Sequence, residues 1–137
     1  MSNCPNTVSV VRGLISVVWQ EYHSKGQLSE GVLNSLYCIF GNTLMKAFKI
    51  IDAQKVTKII STSGRYIFQV TGRLDTPYYC LPYSVFCQCP AFKYLVIKKK
   101  ETMCKHVLAA WLSSAMGVIT KKKVSDEHLK DILENFE

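Results

Sequence analysis

The stretch CQCPAFKYLVIKKKETMCKH, Cys87 to His106, restricts this chain more than any other part of it. It holds two tight pairs, Cys87/Cys89 and Cys104/His106, with fourteen residues between them. Three thiols and one imidazole complete a tetrahedral zinc shell, the donor set of a closed structural site. Each pair also constrains its own backbone. Residues i and i+2 of a strand point to one side, so an extended Cys87–Cys89 segment offers both sulfurs to one ion. On a helix i and i+2 do not face each other. Cys104 is therefore expected just before a helix or in its first turn, with His106 turned in beside it. The run VLAAWLSSAM that follows at once, rich in alanine and leucine, reads as that helix. The positive end of its dipole favours a thiolate at Cys104. Lone cysteines are usually buried small apolar residues. Two close pairs, one stopped by Pro90 and the other opening a helix, do not fit that reading.

The remaining composition sets the frame. A chain of 137 residues, 48% hydrophobic and 11% aromatic, is long enough for one domain that buries about two-thirds of its unfolded surface. Six cysteines allow three disulfides, but three of them sit in the metal motif, and Cys4, Cys38 and Cys80 are scattered and odd in number. Cys38 lies in the apolar helical pattern LNSLYCIF, where a buried free thiol is expected. Met1–Thr7 is polar and uncharged and Arg12 breaks the short apolar run after it, so no signal peptide is expected. The longest uncharged apolar-leaning stretch, Val107–Thr120, falls short of the roughly 20 residues a membrane span needs. A reducing compartment, cytosol or nucleus, is the expected home.

The formal charge of +7 is unevenly spread. Lys98–Lys100 lies inside the zinc loop, Lys105 stands between two ligands, and Lys121–Lys123 follows the helix. Such a surface favours a polyanion, usually nucleic acid. Solvated loop lysines that only confer solubility are an equal reading. Phe92 and Tyr94 beside the first run suit base stacking or, as aromatics more often do, buried area.

Apolar residues at helical spacing predict a helix over Val8–His23, a second carrying Val32, Leu33, Leu36, Tyr37 and Phe40 behind a Ser29 cap, and a third from Leu44 to Ile51. Gly26 and Gly41-Asn42 separate them. The period changes near Val56. Val56–Thr62, Arg65–Thr71 and Thr76–Leu81 read as strands of an antiparallel meander, with Tyr83–Cys89 extended behind them. The helix after His106 is expected to pack Val107, Leu108, Trp111, Leu112 and Ala115 on that sheet. Ser125, with Asp126 and Glu127, starts a last helix through Leu129, Ile132, Leu133 and Phe136. His23 and His128 are expected at the surface. The expected class is α+β, a single domain. It divides into a helical region (1–55), a meander with the zinc motif and its helix (56–119, ligands 87–106), and a basic linker with a C-terminal helix (120–137).

A catalytic zinc keeps one position for water or substrate, and four protein ligands leave none. The sequence has no HExxH, no GxxxxGK[ST] loop, no nucleophile elbow and no deaminase signature. Asp52, Asp75 and Glu101 are isolated. The expectation is a non-enzyme whose metal holds a shape.

The order C-x-C, spacer, C-x-H at a helix start, preceded by strands and set in CPAF and CKHVLAAWL, resembles the SWIM zinc-binding domain. SWIM domains occur in proteins of several functions, so the motif alone does not give the job. Three helices, the strand pair around SGRYIFQV, the motif and a short final helix resemble, over nearly the full length, the Shu-complex SWIM proteins of homologous recombination. The resemblance implies one structural zinc on Cys87, Cys89, Cys104 and His106. It implies a non-catalytic, nuclear subunit that pairs with a RecA-like recombinase paralogue. It further implies assembly or stability of recombinase filaments on single-stranded DNA, in DNA-damage repair and meiosis. Ala110 matches the family pattern after the motif, which implies close helix packing or partner contact there; with Trp111 it is expected at a partner contact. Lys98, Lys99, Lys100 and Lys105 are expected to touch nucleic acid, if this chain does. Two other readings stand beside this one: a stand-alone, sequence-independent nucleic-acid binder, and an enzyme or ubiquitin-ligase component, the latter suggested only by other SWIM proteins.

Overall fold

Helix α1 (Thr7–Lys25) runs as the apolar spacing predicts and stops where Gly26 takes φ +75°. The Glu21 carboxylate accepts the backbone N–H of Ser29. That bond, the first cause, holds the Glu21 carboxyl below the usual carboxylate range. Ser29 in turn caps α2 (Glu30–Phe40), its hydroxyl accepting from the Val32 N–H at 3.3 Å. Gly41, at φ +56°, turns the chain directly into α3 (Asn42–Asp52). The computed structural model describes residues 7–82, 84, 87–89 and 103–135. The expectations for Cys4, Tyr83, Phe92, Tyr94, Lys98–Lys100 and Phe136 lie outside these residues.

Strand β1 (Val56–Ser61) pairs antiparallel with β2 (Tyr66–Thr71), and β2 with β3 (Pro77–Cys80), so the meander forms as read. A fourth strand, β4 (Thr120–Val124), lies parallel to β1, and the sheet order is β3-β2-β1-β4. The lysine run read as a linker is thus an edge strand and the sheet is mixed. A parallel partner needs a long crossover. Here that crossover contains α4 (Lys105–Met116), which follows the metal motif. Helix α5 (Asp126–Glu134) closes the described chain, capped by Ser125, whose hydroxyl accepts the His128 N–H at 3.1 Å.

Helix α4 is the centre of the molecule. Ten of its twelve residues are buried, from His106 to Met116 with only Ser114 among them half-exposed. It packs on the sheet, as expected, and equally on α1 and α3, which cover its other side. The α4 side of the sheet carries Val56, Phe68, Val70 and Cys80 into the main core with Val11, Val18, Leu36, Leu44 and Ala47. The opposite side holds a smaller core of Ile59, Ile67 and Leu129, which seats α5. His23, expected at the surface, is exposed but not idle. Its Nε2 donates to the Ala115 carbonyl at 3.2 Å, tying the end of α1 to the end of α4.

A second expectation fails. Cys38 is exposed, not buried. The fully buried residues of α2 are Val32, Leu36 and Phe40, an i, i+4, i+8 row with half-buried Ile39 beside it, and Cys38 lies off it together with exposed Leu33 and Tyr37. No helix of the described residues is long and apolar enough to cross a membrane.

Candidate metal centre

Cys80 ends β3, and Cys87 makes a single antiparallel bridge back to it. That bridge sets Cys87 and Cys89 at the sheet margin, facing the start of α4. Cys104 is the residue immediately before α4, with extended backbone (φ −77°, ψ 164°), and His106 lies in its first turn. The three sulfurs and a ring nitrogen all lie within 4.8 Å of one another, and all four side chains are buried. Cys87 Sγ stands 3.9 Å from His106 Nδ1. Around a tetrahedral ion with Zn–S near 2.3 Å the donor atoms stand roughly 3.8 Å apart, so the cluster needs little adjustment to close on zinc.

The electrostatics call for a cation. The Cys104 thiol is pushed far up, first by the Cys87 and Cys89 sulfurs and then by burial. Cys104 lowers the Cys87 thiol, but Cys80, Cys89 and burial together raise it well above its usual range. Three thiolates at this spacing repel one another, and a divalent ion removes the penalty. None of the described cysteines is in a disulfide. The donor set, its burial and its closure define one structural zinc, with no coordination position left for water or substrate.

Two supporting residues have no counterpart in the sequence reading. Cys80, fully buried, lies against Cys87. The Tyr78 ring packs on the His106 imidazole with centroids 4.8 Å apart, fixing its orientation from the side. Neither has a sequence signal, because both depend on how β3 meets the loop after it. Gly72 makes room for Tyr78: a Cβ there would clash with the edge of the Tyr78 ring at Cε2. Gly72→Ala is therefore expected to displace the ring, cost about 1–3 kcal/mol through overpacking, and speed zinc loss to a chromogenic chelator. An unaltered release rate would show that Tyr78 does not orient His106.

The other candidate residues separate. Lys105, half-buried, opens α4 between Cys104 and His106. Ala110 is wholly buried inside α4. Trp111 is 8% exposed and lines, with Arg12, Ile15, Trp19, Tyr66 and Phe68, a cavity of about 540 Å³ between α1, α4 and β2. Both residues therefore serve first as core of the central helix.

The fold and site define an α+β protein built on a closed Cys3His zinc clasp. Comparison with known proteins gives the family. The chain is 36% identical over 126 residues to human zinc finger SWIM domain-containing protein 7, covering 91% of this chain and 90% of that protein. It is 37% identical over 127 residues to the zebrafish (Danio rerio) protein of that name, with 92% and 91% covered. A Dictyostelium discoideum homolog is 30% identical over 131 residues, with 93% and 83% covered. This chain belongs to the family of zinc finger SWIM domain-containing protein 7. No family model and no solved structure matches it.

Proposed function

We propose that this chain is the non-catalytic zinc subunit of a Shu-type complex. In that role it pairs with a RecA-like recombinase paralogue in the nucleus and promotes assembly or stability of recombinase filaments on single-stranded DNA. The observation that carries the reading is the closed, buried Cys3His shell in a chain that aligns along almost its whole length with SWIM proteins of the same size. A metal with no open position supports a role in shape rather than chemistry. Any ATP use then belongs to the partner, since this sequence has no phosphate-binding loop. The N-terminal helices supply apolar surface for a partner: Val10 and Val17 on α1, Leu33 and Tyr37 on α2, and Met45 on α3 are all more than a third exposed.

Co-expression with a tagged RecA-like recombinase paralogue tests this. The soluble yield of this chain is expected to rise several-fold, and the two are expected to co-elute on size exclusion, because binding draws the equilibrium toward the folded chain. A monomer equally soluble and stable alone, and not retained by the paralogue, would refute the pairing.

A further inference from the structure

Three of the four charged residues on the strands, Lys58, Lys121 and Lys123, share one side of the sheet, while Lys122, paired with Ile59, faces the other. Cross-strand partners share a face, and the register pairs Lys58 with Lys121 and Ile60 with Lys123 on β1 and β4. It also pairs Lys58 with Phe68 and Ile60 with Tyr66 on β1 and β2. Lys58, Lys121 and Lys123 therefore stand on the α4 side of the sheet, at the end where Lys121 and Lys123 are exposed. Lys58 Nζ rests 4.2 Å above the Tyr66 ring, which props its ammonium in place. Tyr66 also lines the cavity whose wall includes Arg12 and Trp19, and Trp19 is 53% exposed. A basic and aromatic path thus runs from the β4 edge, past Lys58 and Tyr66, to Trp19.

The strands of this face, β1, β2 and β4, lack carboxylates, although Asp52 lines a depression with Val56 and Thr120 at the start of β4. Four of the chain's ten acidic residues, Asp126, Glu127, Asp131 and Glu134, are on α5 behind the sheet. The field over the lysine face is consequently more positive than the net charge conveys. Lysines on an edge strand also discourage edge-to-edge pairing, but Lys58 is on an inner strand and has no such duty. The lysines are point charges that suit a phosphate backbone without base readout. An exposed indole on the same path suits an unpaired base, which a duplex does not present.

We propose that this face of the sheet binds single-stranded nucleic acid, with Lys58, Lys121 and Lys123 on phosphates and Trp19 stacking on a base. The choice of a single strand rests on the reading given under Proposed function; the site itself does not.

The test is fluorescence anisotropy of the zinc-loaded full chain with a labelled oligo-dT, titrated over a range of salt. Lys58→Gln/Lys121→Gln/Lys123→Gln is expected to weaken binding roughly tenfold or more at low salt. It is also expected to reduce the slope of log affinity against log salt by about 2, since each phosphate neutralised on a single strand accounts for about 0.7. Trp19→Ala is expected to weaken binding roughly tenfold with the slope unchanged. Lys46→Gln/Lys49→Gln on α3, a comparable removal of charge, is expected to leave the slope in place. Circular dichroism and retention by the recombinase paralogue report whether each variant stays folded and partner-competent. The proposal is overturned if the wild-type chain does not bind the oligonucleotide, if the triple variant keeps the wild-type slope, or if a polyglutamate peptide competes as well as the oligonucleotide. Loss of that slope with paralogue retention intact supports the site. Retained slope with intact pairing defeats the site and leaves the subunit reading standing.

Discussion

Cys104→Ser is expected to abolish the cooperative thermal transition of this protein, and a strong chelator is expected to do the same to the wild-type chain. The clasp joins three pieces of the chain at one point: the margin of β3, the Cys87–Cys89 segment and the first turn of α4. Apparent zinc binding energies of about 10–16 kcal/mol for structural sites equal or exceed the roughly 5–15 kcal/mol net stability of an ordinary domain. Without the ion, three crowded thiols and an imidazole remain buried at the start of the helix on which everything else packs. Serine supplies neither the thiolate charge nor the soft donor, so the shell falls to three ligands. The checks are zinc stoichiometry and far-UV melting. A Cys104→Ser chain that melts like wild type would mean that the clasp is not structural. Since the sulfurs bind as thiolates, protons compete with zinc, and acidification is expected to release it.

Leu112→Ala is expected to destabilise the folded protein by about 2–5 kcal/mol while leaving one zinc per chain. Leu112 is wholly buried, in a helix enclosed by the sheet on one side and by α1 and α3 on the other. Its walls come from three directions, so they collapse poorly into the space left behind, which places the cost toward the upper part of that range. It lies nearly two turns beyond His106, so the metal shell itself should persist. Urea unfolding with zinc content measured in parallel separates the two effects. A loss under about 1 kcal/mol would mean that α4 is not the packing centre.

These two positions show how differently parts of the molecule are written in the chain. The zinc shell is legible because donor chemistry and i, i+2 geometry are local: Cys104 before the helix and His106 in its first turn follow from the pair alone. The caps at Ser29 and Ser125 are local too, since each hydroxyl accepts an N–H three residues on. Cys38 defeats its expectation because apolar composition marks a helix without fixing which stripe faces inward, and the row Val32, Leu36, Phe40 leaves it outside. Strand β4 is illegible for a stronger reason. Three consecutive lysines have neither alternation nor strand preference. They become a strand because β1 offers an open edge whose backbone groups need partners, and a ladder does not depend on side chains.

Residues close together in the chain are enough for the metal, its four donors, the α+β class and the order of elements through the meander. The enclosure of α4 on both sides comes from the three-dimensional fold and from nothing shorter. So do the placement of Tyr78 and Gly72 behind His106 and the bond from His23 to the far end of α4. The fold also gathers Lys58 with Lys121 and Lys123 on one face. Those juxtapositions arise from packing and register between segments far apart along the chain, which no local pattern encodes.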